Sequence, residues 1–446
     1  MVLLAAIGLQ PLQRRPVRFG ILGDVYPLQP DKPQSSVTLR VLCDSVVKSR
    51  HRHPGASGLS LGDAHNFGRR VTRRDEWVEK PRTTVWEELF LGAESPLLQL
   101  LDNLAVEQLG TPAFSFLPRL QFKPSETPTS RLVESVHLQP FADSKSERVL
   151  QLAEIAGRFA ALFSWFGVAD LHWENLVLGQ DHHGEIVFAP LDVEMVLDEF
   201  TLPTQTKFLP ESDPDIVDIC RHSCGARRLL PFIGKPVNGK LTVAMAAAYY
   251  HAFRFLNRNA QNISRVISSL PTLQTAPIRV LLRGTDEYVF SGKKDVWPPL
   301  LEAEKLQLAR GDIPYFFRLI GKKGIFYYTH PDLTEYSCLP TKGDVPQLAP
   351  LLSLAKNLNA PSRKSLLEEG IFAILGAFDN PDLTGPFEYE KLSVLFKRKH
   401  LTVTLPSGEE LTSRRDLRPF VGSVYLPCSC GEVHSPFVPA VTTCNG

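Results

Sequence analysis

The sequence predicts an α+β fold in which a small strand-rich portion precedes a larger helical one. Three observations lead there. Short apolar alternations bounded by glycine and proline recur before Pro140. Residues 146–165 then follow a helical period, with Val149, Leu152, Ala153, Ala156, Phe159, Ala160 and Phe163 on one broad face. After Glu194 the pattern is mostly helical, and residues 241–258 read as a buried helix.

Taken in order, residues 1–60 are irregular. They hold a short apolar start at Met1–Leu9, a strand-like run at 37–41 and a basic, solvated cluster at 48–53. Gly62 and Gly68 bracket polar side chains in a turn between strands, and Trp77–Pro81 is a short strand carrying Lys80. Residues 84–109 look helical, with Glu87, Glu88 and Glu94 as acidic candidates. Residues 114–117 and 132–138 read as strands, the second running to Pro140, a suitable hinge. Leu176–Leu178 and Ile186–Ala189 form a hairpin across a turn at 179–184, which should bring Asn175 and Asp192 together. Further helices are expected at 299–309, 364–378 and 387–397, and residues 400–446 look like strands and loops. The division expected is 1–140, 141–400 and a C-terminal extension at 401–446.

Composition bounds the function. The chain has 446 residues, 43% hydrophobic and 22% charged, which is enough apolar material for a sizeable core. A formal net charge of +1 gives no bulk attraction to nucleic acid or to a membrane surface, so any basic site must be local. No apolar run is long enough to span a bilayer, and the first residues lack the pattern of a signal peptide. The seven cysteines are scattered and odd in number, unlike a disulfide framework. Cys220, His222 and Cys224, or Cys428, Cys430, His434 and Cys444, are candidate zinc ligands without a familiar spacing. Free thiols in a reducing cytoplasm are the preferred reading.

The strongest chemical signal is Asp170-x-His172-x-x-Asn175, followed seventeen residues after Asn175 by Asp192. Kinase catalytic loops use the same interval, with an Asp facing the attacking hydroxyl and an Asn holding magnesium. The alternative is a loop corner in which an Asp and an Asn satisfy turn backbone. The surrounding order favours the chemical reading: a glycine-bracketed turn at Gly62 and Gly68, Lys80 on a strand, a hinge, the Asp170 loop, then Asp192. Asp63, His65, Arg279 and Thr285, each alone, would most often be turn or edge residues.

Together the segments resemble the dehydratase domain of class II lanthipeptide synthetases (LanM). The resemblance lies in Gly62-Asp63-Ala64-His65, Lys80-Pro81-Arg82, Asp170 to Asn175, Leu191 to Glu194, Arg279 to Tyr288 and Arg310 to Phe316, all in order. It implies a bilobal, lipid-kinase-like core and a cytoplasmic enzyme that uses ATP and Mg2+. Such an enzyme phosphorylates Ser and Thr of a ribosomally made precursor peptide, then eliminates phosphate to leave dehydroalanine or dehydrobutyrine. By the same resemblance, Lys80, Asp170, His172, Asn175 and Asp192 serve phosphorylation, with Asn175 and Asp192 on the metal and Lys80, Gly62 and Gly68 on the nucleotide. Asp63, His65, Arg279 and Thr285 serve elimination. The family's large enzymes end in a zinc-dependent cyclase with a Cys-His-Gly motif, which this sequence lacks, so ring closure is expected to need a separate cyclase. Competing readings are a peptide or small-molecule kinase without elimination, and a non-catalytic peptide-binding partner of a cyclase.

Overall fold

Five short strands at the start of the described chain pair into one antiparallel sheet: β1 (Leu59–His65), β2 (Arg69–Arg74), β3 (Trp77–Lys80), β4 (Phe122–Pro124) and β5 (Arg131–Glu134), in the order β1-β2-β3-β5-β4. The computed structural model describes residues 59–141, 146–197, 202–210, 224–234, 237–290, 300–340, 361–378 and 382–415, with two paired dipeptides at 426–427 and 433–434. These residues belong to one compact unit, Thr38–Gly446. The expected segments at 1–9, 37–41 and 48–53, and Cys43, Cys220, His222, Cys428, Cys430 and Cys444, lie outside the described residues.

The sheet's register matters more than its size. Val78 lies opposite Val133, and Lys80 lies opposite Arg131, so Val78, Lys80, Val133 and Arg131 share one face. That face carries buried Val133 and buried Lys80, and a one-residue slip would send both to the opposite face. Between β3 and β4 the chain forms α1 (Val85–Leu91) and α2 (Pro96–Leu109). One helix was expected over 84–109. It breaks at Gly92, which carries an extended backbone and a β-bridge to Leu120, and α2 restarts from the Ser95 cap with Pro96 in its first turn. Residues 114–117 were expected as a strand. They form a turn whose Phe114, Phe116 and Leu117 are buried, so an apolar run here marks core burial and not pairing.

The larger part is built on two twenty-residue helices. First comes α3 (Ser146–Trp165), leading into the hairpin β6 (Leu176–Gln180) and β7 (Ile186–Pro190). A short helix α4 (Leu230–Ile233) precedes α5 (Gly239–Arg258), capped by the Asn238 side chain, and then α6 (Ala260–Ser268) and α7 (Pro271–Thr275). α3 and α5 pack closely because their contact is made of small residues. Gly157 is the tightest point: a Cβ there would collide with the Met245 carbonyl and lie 2.9 Å from Ala248 Cβ.

After α7 come β8 (Ile278–Val280), α8 (Thr285–Phe290), α9 (Glu302–Ala309), β9 (Phe316–Arg318), β10 (Phe326–Tyr328) and β11 (Tyr336–Cys338). The four strands form a sheet ordered β11-β10-β9-β8. The rest is α10 (Pro361–Ala377), then β12 (Gly385–Tyr389), β13 (Leu392–Phe396), β14 (His400–Thr404) and β15 (Glu410–Arg414) in a sequential antiparallel sheet. A further pair, β16 (Leu426–Pro427) and β17 (Val433–His434), follows.

The helix expected at 387–397 is wrong. Positive φ at Glu390 and Lys391 makes a two-residue turn between β12 and β13, and the alternation of Leu392, Val394 and Phe396 is a period of two with all three side chains buried. The boundary expected after residue 400 falls inside β14, which pairs with strands on both sides of it. The described residues are 37% helical and 24% strand, with mostly antiparallel pairing, which places them in the α+β class. No described helix is long and apolar enough to cross a membrane.

Replacing Gly157 with Ala tests the α3–α5 contact. A helical Gly→Ala change normally adds about 1 kcal/mol of stability. Here the opposing atom is backbone and cannot swing aside. The expected result is net destabilisation of about 2 kcal/mol, read from the urea midpoint.

Candidate active site

Lys80, the last residue of β3, turns its side chain into the protein and donates to Glu87 Oε2 at 2.6 Å and to the Leu191 carbonyl at 2.7 Å. Glu87 is buried in the first turn of α1, where the N-terminal helix dipole favours a carboxylate. Trp86 Nε1 donates to the Pro277 carbonyl at 3.1 Å, tying the same turn to the approach to β8. A strand lysine is thus joined to a helix glutamate, and both side chains are less than one-tenth exposed.

Arg82 extends this pair into a chain. Its guanidinium reaches Glu87 at 2.8 Å, Asp192 at 2.6 Å and Glu194 at 3.1 Å. Arg279, on β8, contacts Glu194 at 3.2 Å, and Tyr315 Oη donates to Glu194 Oε2 at 3.1 Å. The Arg279 backbone N–H also donates to the Glu194 carbonyl, which lays β8 beside the 192–197 segment. Burial opposes the charge on Arg82, but Asp192, Glu194 and Glu87 outweigh it and hold the guanidinium firmly protonated. Burial likewise pushes Asp192 up, while Arg82, Lys80 and Arg279 pull it well below the usual carboxylate range. Glu194 moves the other way: burial dominates, and its pKa is raised despite Arg82. The pair is polarised, with Asp192 the more readily ionised of the two.

The Asp170 loop is set by the end of α3. Gly167 takes φ +59, and Val168 and Ala169 are buried. Ala169 N donates to the Met195 carbonyl and Leu171 N to the Thr206 carbonyl, so the loop is laced to segments on either side. Asp170 sits between them with φ +64, a backbone region that disfavours any residue with a Cβ. Asn175 Nδ2 donates to the Asp170 carbonyl at 3.0 Å and to Asp170 Oδ2 at 3.2 Å. Leu191 N donates to the Asn175 carbonyl at 2.7 Å across the β6–β7 pair, so Asn175 lies opposite Leu191, one residue from Asp192. Lys207 Nζ is 3.3 Å from Asp170 Oδ1.

His65 joins from the first sheet. Its Nδ1 bonds the Ile313 carbonyl at 2.8 Å. A carbonyl only accepts, so Nδ1 carries the proton and Nε2 is left as the acceptor. Burial, with help from Arg279 and Arg82, pulls its pKa down to about 3, which keeps the ring neutral.

The expected phosphate turn is a different matter. Asn66, Phe67 and Gly68 all have positive φ, and the Phe67 and Gly68 N–H groups converge on one acceptor. That acceptor is Asp312, at 2.7 and 2.6 Å. Gly68 is therefore engaged by an internal carboxylate, and Gly62, at a bulge in β1, spends its carbonyl on Arg70. The turn is an anion nest filled from within.

Of the three remaining expected residues, His172 forms a β-bridge with Cys224, and the other two make no hydrogen bond or ion pair to the site among the described residues. Asp63 is exposed, and no hydrogen bond or ion pair joins it to the others among the described residues. Thr285 opens α8, five residues beyond the end of β8. Between β8 and α8, Arg283 is fully buried and paired with Glu304 at 2.8 Å. Four residues were missed as participants: Arg82, Glu194, Tyr315 and Lys207. The first three lie inside recognised segments, whereas Lys207 stands in Gln-Thr-Lys-Phe-Leu, which carries no signal.

Asn175, Asp192 and Asp170 offer oxygen ligands of the kind magnesium takes, and magnesium commonly keeps several waters of its own. Two buried side-chain nitrogens here lack hydrogen-bond partners among the described residues, His172 Nδ1 and Arg279 Nε. The donor set fits a magnesium–phosphate group. Among the described residues no cluster of three or more His, Cys, Asp or Glu side chains is arranged for a metal ion. Cys224 is buried, and its thiol is pushed up to about 12 and stays protonated, which disfavours it as a zinc ligand.

Removing Glu87 should be costly, because Lys80 then loses its carboxylate while remaining buried. Glu87→Gln is expected to lose about 3 kcal/mol, and a Lys80→Met, Glu87→Gln double variant to recover part of it, as a double-mutant cycle in urea would read. For His65 the folded pKa lies below the unfolded value of about 6.5, so its stability contribution is complete above that pH and is lost as pH falls toward 3. At pH 5 the unsubstituted protein should lose up to about 2 kcal/mol that a His65→Gln variant does not, measured by denaturation at both pH values. No known protein-family model matches this chain, and no curated protein matches it.

Proposed function

We propose that the protein is a lipid-kinase-like, ATP-dependent dehydratase of Ser and Thr in a ribosomally made peptide, acting through a phosphate ester. The observation that carries the reading is the joining of Lys80–Glu87 to Asp192 through Arg82, with Asn175 and Asp170 beside it. A strand lysine paired with a helix glutamate, facing an Asp–Asn loop and a second acid, is the framework that phosphoryl transfer uses. Bound magnesium would supply charge neutralisation for the phosphates, held by Asn175 and Asp192.

The roles follow from position. Asp170, held by Asn175 and partly exposed, orients the attacking hydroxyl and takes its proton. Lys80 is fixed at the end of β3, the central strand of the first sheet, for the nucleotide phosphates. For the second step, Arg279 is a buried cation suited to a departing phosphate, and His65 is a neutral ring with an open acceptor nitrogen. Asp192 and Glu194 bind Arg82 and Arg279 tightly enough to keep those cations in place.

Charge gives a further consequence. Lys80, Arg82, Lys207 and Arg279 face Glu87, Asp170, Asp192 and Glu194, so four cations meet four carboxylates. The site has no positive surplus to attract a bare triphosphate. ATP binding should therefore require magnesium, and EDTA should abolish it in calorimetry. With ATP, magnesium and a Ser/Thr-containing precursor peptide, the protein should produce water losses by mass spectrometry. Asp170→Asn should slow phosphorylation about 100-fold or more. Arg279→Met should accumulate phosphopeptide; phosphate gain without water loss in the unsubstituted protein would instead establish a kinase that stops at the ester.

One observation favours a second reading, a non-catalytic peptide-binding partner of a separate cyclase. Asp192, expected on the metal, is engaged by Arg82, and Gly68, expected on the nucleotide, by Asp312, so both are already satisfied internally. Absence of magnesium-dependent nucleotide binding decides for it.

A further inference from the structure

We propose that Lys207 is a catalytic residue of phosphoryl transfer: a cation held beside Asp170 to meet the phosphoryl group in transit. This rests on the reading above and extends it to a residue outside every recognised motif.

Three independent observations carry it. The first is placement. Residues 202–206 and 208–210 are all buried, and Lys207 alone in that run remains part-exposed, its side chain 30% accessible and directed at Asp170. The run is fastened on both sides: Leu171 N donates to the Thr206 carbonyl at 2.8 Å, Gly225 N to the Lys207 carbonyl at 3.0 Å and Ala226 N to the Phe208 carbonyl at 2.8 Å. The second is strain. Lys207 has φ +63 and its partner Asp170 has φ +64. Both members of one ion pair occupy the left-handed region, where a side chain is disfavoured and glycine would fit without cost. Left-handed backbone at a residue with a Cβ persists where surrounding bonds over-determine it, as the bonds to Thr206, Lys207 and Phe208 do here.

The third is availability. Lys80 is held by Glu87 and the Leu191 carbonyl, Arg82 by three carboxylates and Arg279 by Glu194. Among the described residues the only ionic partner of Lys207 is Asp170, in a part-exposed pair of the kind that contributes little and exchanges readily. Lys207 is thus the cation of this site most easily given to an incoming anion.

The chemistry balances. The substrate hydroxyl oxygen bonds to the terminal phosphorus of ATP. The bond from that phosphorus to the bridging oxygen breaks, and its electron pair leaves with ADP. The hydroxyl proton passes to Asp170. Lys207 keeps its three protons and donates a hydrogen bond to a phosphoryl oxygen, which removes its charge from Asp170 as that carboxylate accepts the proton.

The test uses the full chain with magnesium–ATP and water as acceptor, following single-turnover phosphate release, with magnesium–ADP affinity by calorimetry. Lys207→Met and Lys207→Gly should each release phosphate about 100-fold more slowly, with ADP affinity changed by less than about threefold. Lys207→Arg should recover part of the rate. Lys207→Gly relieves the backbone, so its Tm should not fall, which separates lost chemistry from lost folding. Release by the Met and Gly variants within about threefold of the unsubstituted rate overturns the assignment. So does a Tm drop in the Gly variant that accounts for its loss, since that marks a structural role. If the unsubstituted protein releases phosphate and Asp170→Asn does not, either result removes Lys207 alone. If the unsubstituted protein neither binds nor hydrolyses magnesium–ATP, the phosphotransfer reading fails and the Lys207 assignment with it.

Discussion

A line of alternating charges runs through the centre of this protein: Lys80 to Glu87, Glu87 to Arg82, Arg82 to Asp192 and Glu194, and Glu194 to Arg279. It links the first sheet and α1 to the segment after the hairpin and to β8, which are far away in sequence. Each member is tolerable only because the next is present. A buried ion with its partner removed costs several kcal/mol, so the set is cooperative by necessity. The rest of the site is arranged around it. Tyr315 caps Glu194, and the Leu191 carbonyl takes the last proton of Lys80 that the structure accounts for.

Two local devices aim the ends of this line. One is pairing register. Lys80 reaches Glu87 because it shares a face with Val78 and Val133. Asn175 reaches the 191–194 segment because β6 and β7 close with Leu176 opposite Pro190. The other is left-handed backbone at residues other than glycine. Asp170 and Lys207 meet in that state. The turn at Asn66–Gly68 uses the same state to gather two N–H groups onto Asp312, and Ile313 N on the Ala64 carbonyl completes the seam that fixes the His65 ring. Strain of this kind is retained where surrounding bonds over-determine it, and here they do.

The errors of sequence reading share a cause. The 387–397 segment has apolar residues that satisfy either period over a short window, and the deciding fact is a turn at Glu390–Lys391 made by residues that do not ordinarily favour positive φ. The break at Gly92 is set by a bridge to Leu120, a contact between residues 28 apart that no local pattern encodes. Gly68 carried the right signal, an N–H group aimed at an anion. The anion turned out to be Asp312, more than 240 residues away.

What the sequence determined by itself was whatever depends on neighbours along the chain. The helices at 146–165 and 241–258, the hairpin that sets Asn175 opposite Leu191, one residue from Asp192, and the strand that carries Lys80 all follow from apolar period and turn chemistry. The tertiary structure alone decided which charges meet. Arg82 among three carboxylates, Glu194 under Arg279 and Tyr315, and Lys207 against Asp170 are products of burial, where the low dielectric forces every ion to find a partner regardless of its distance in sequence.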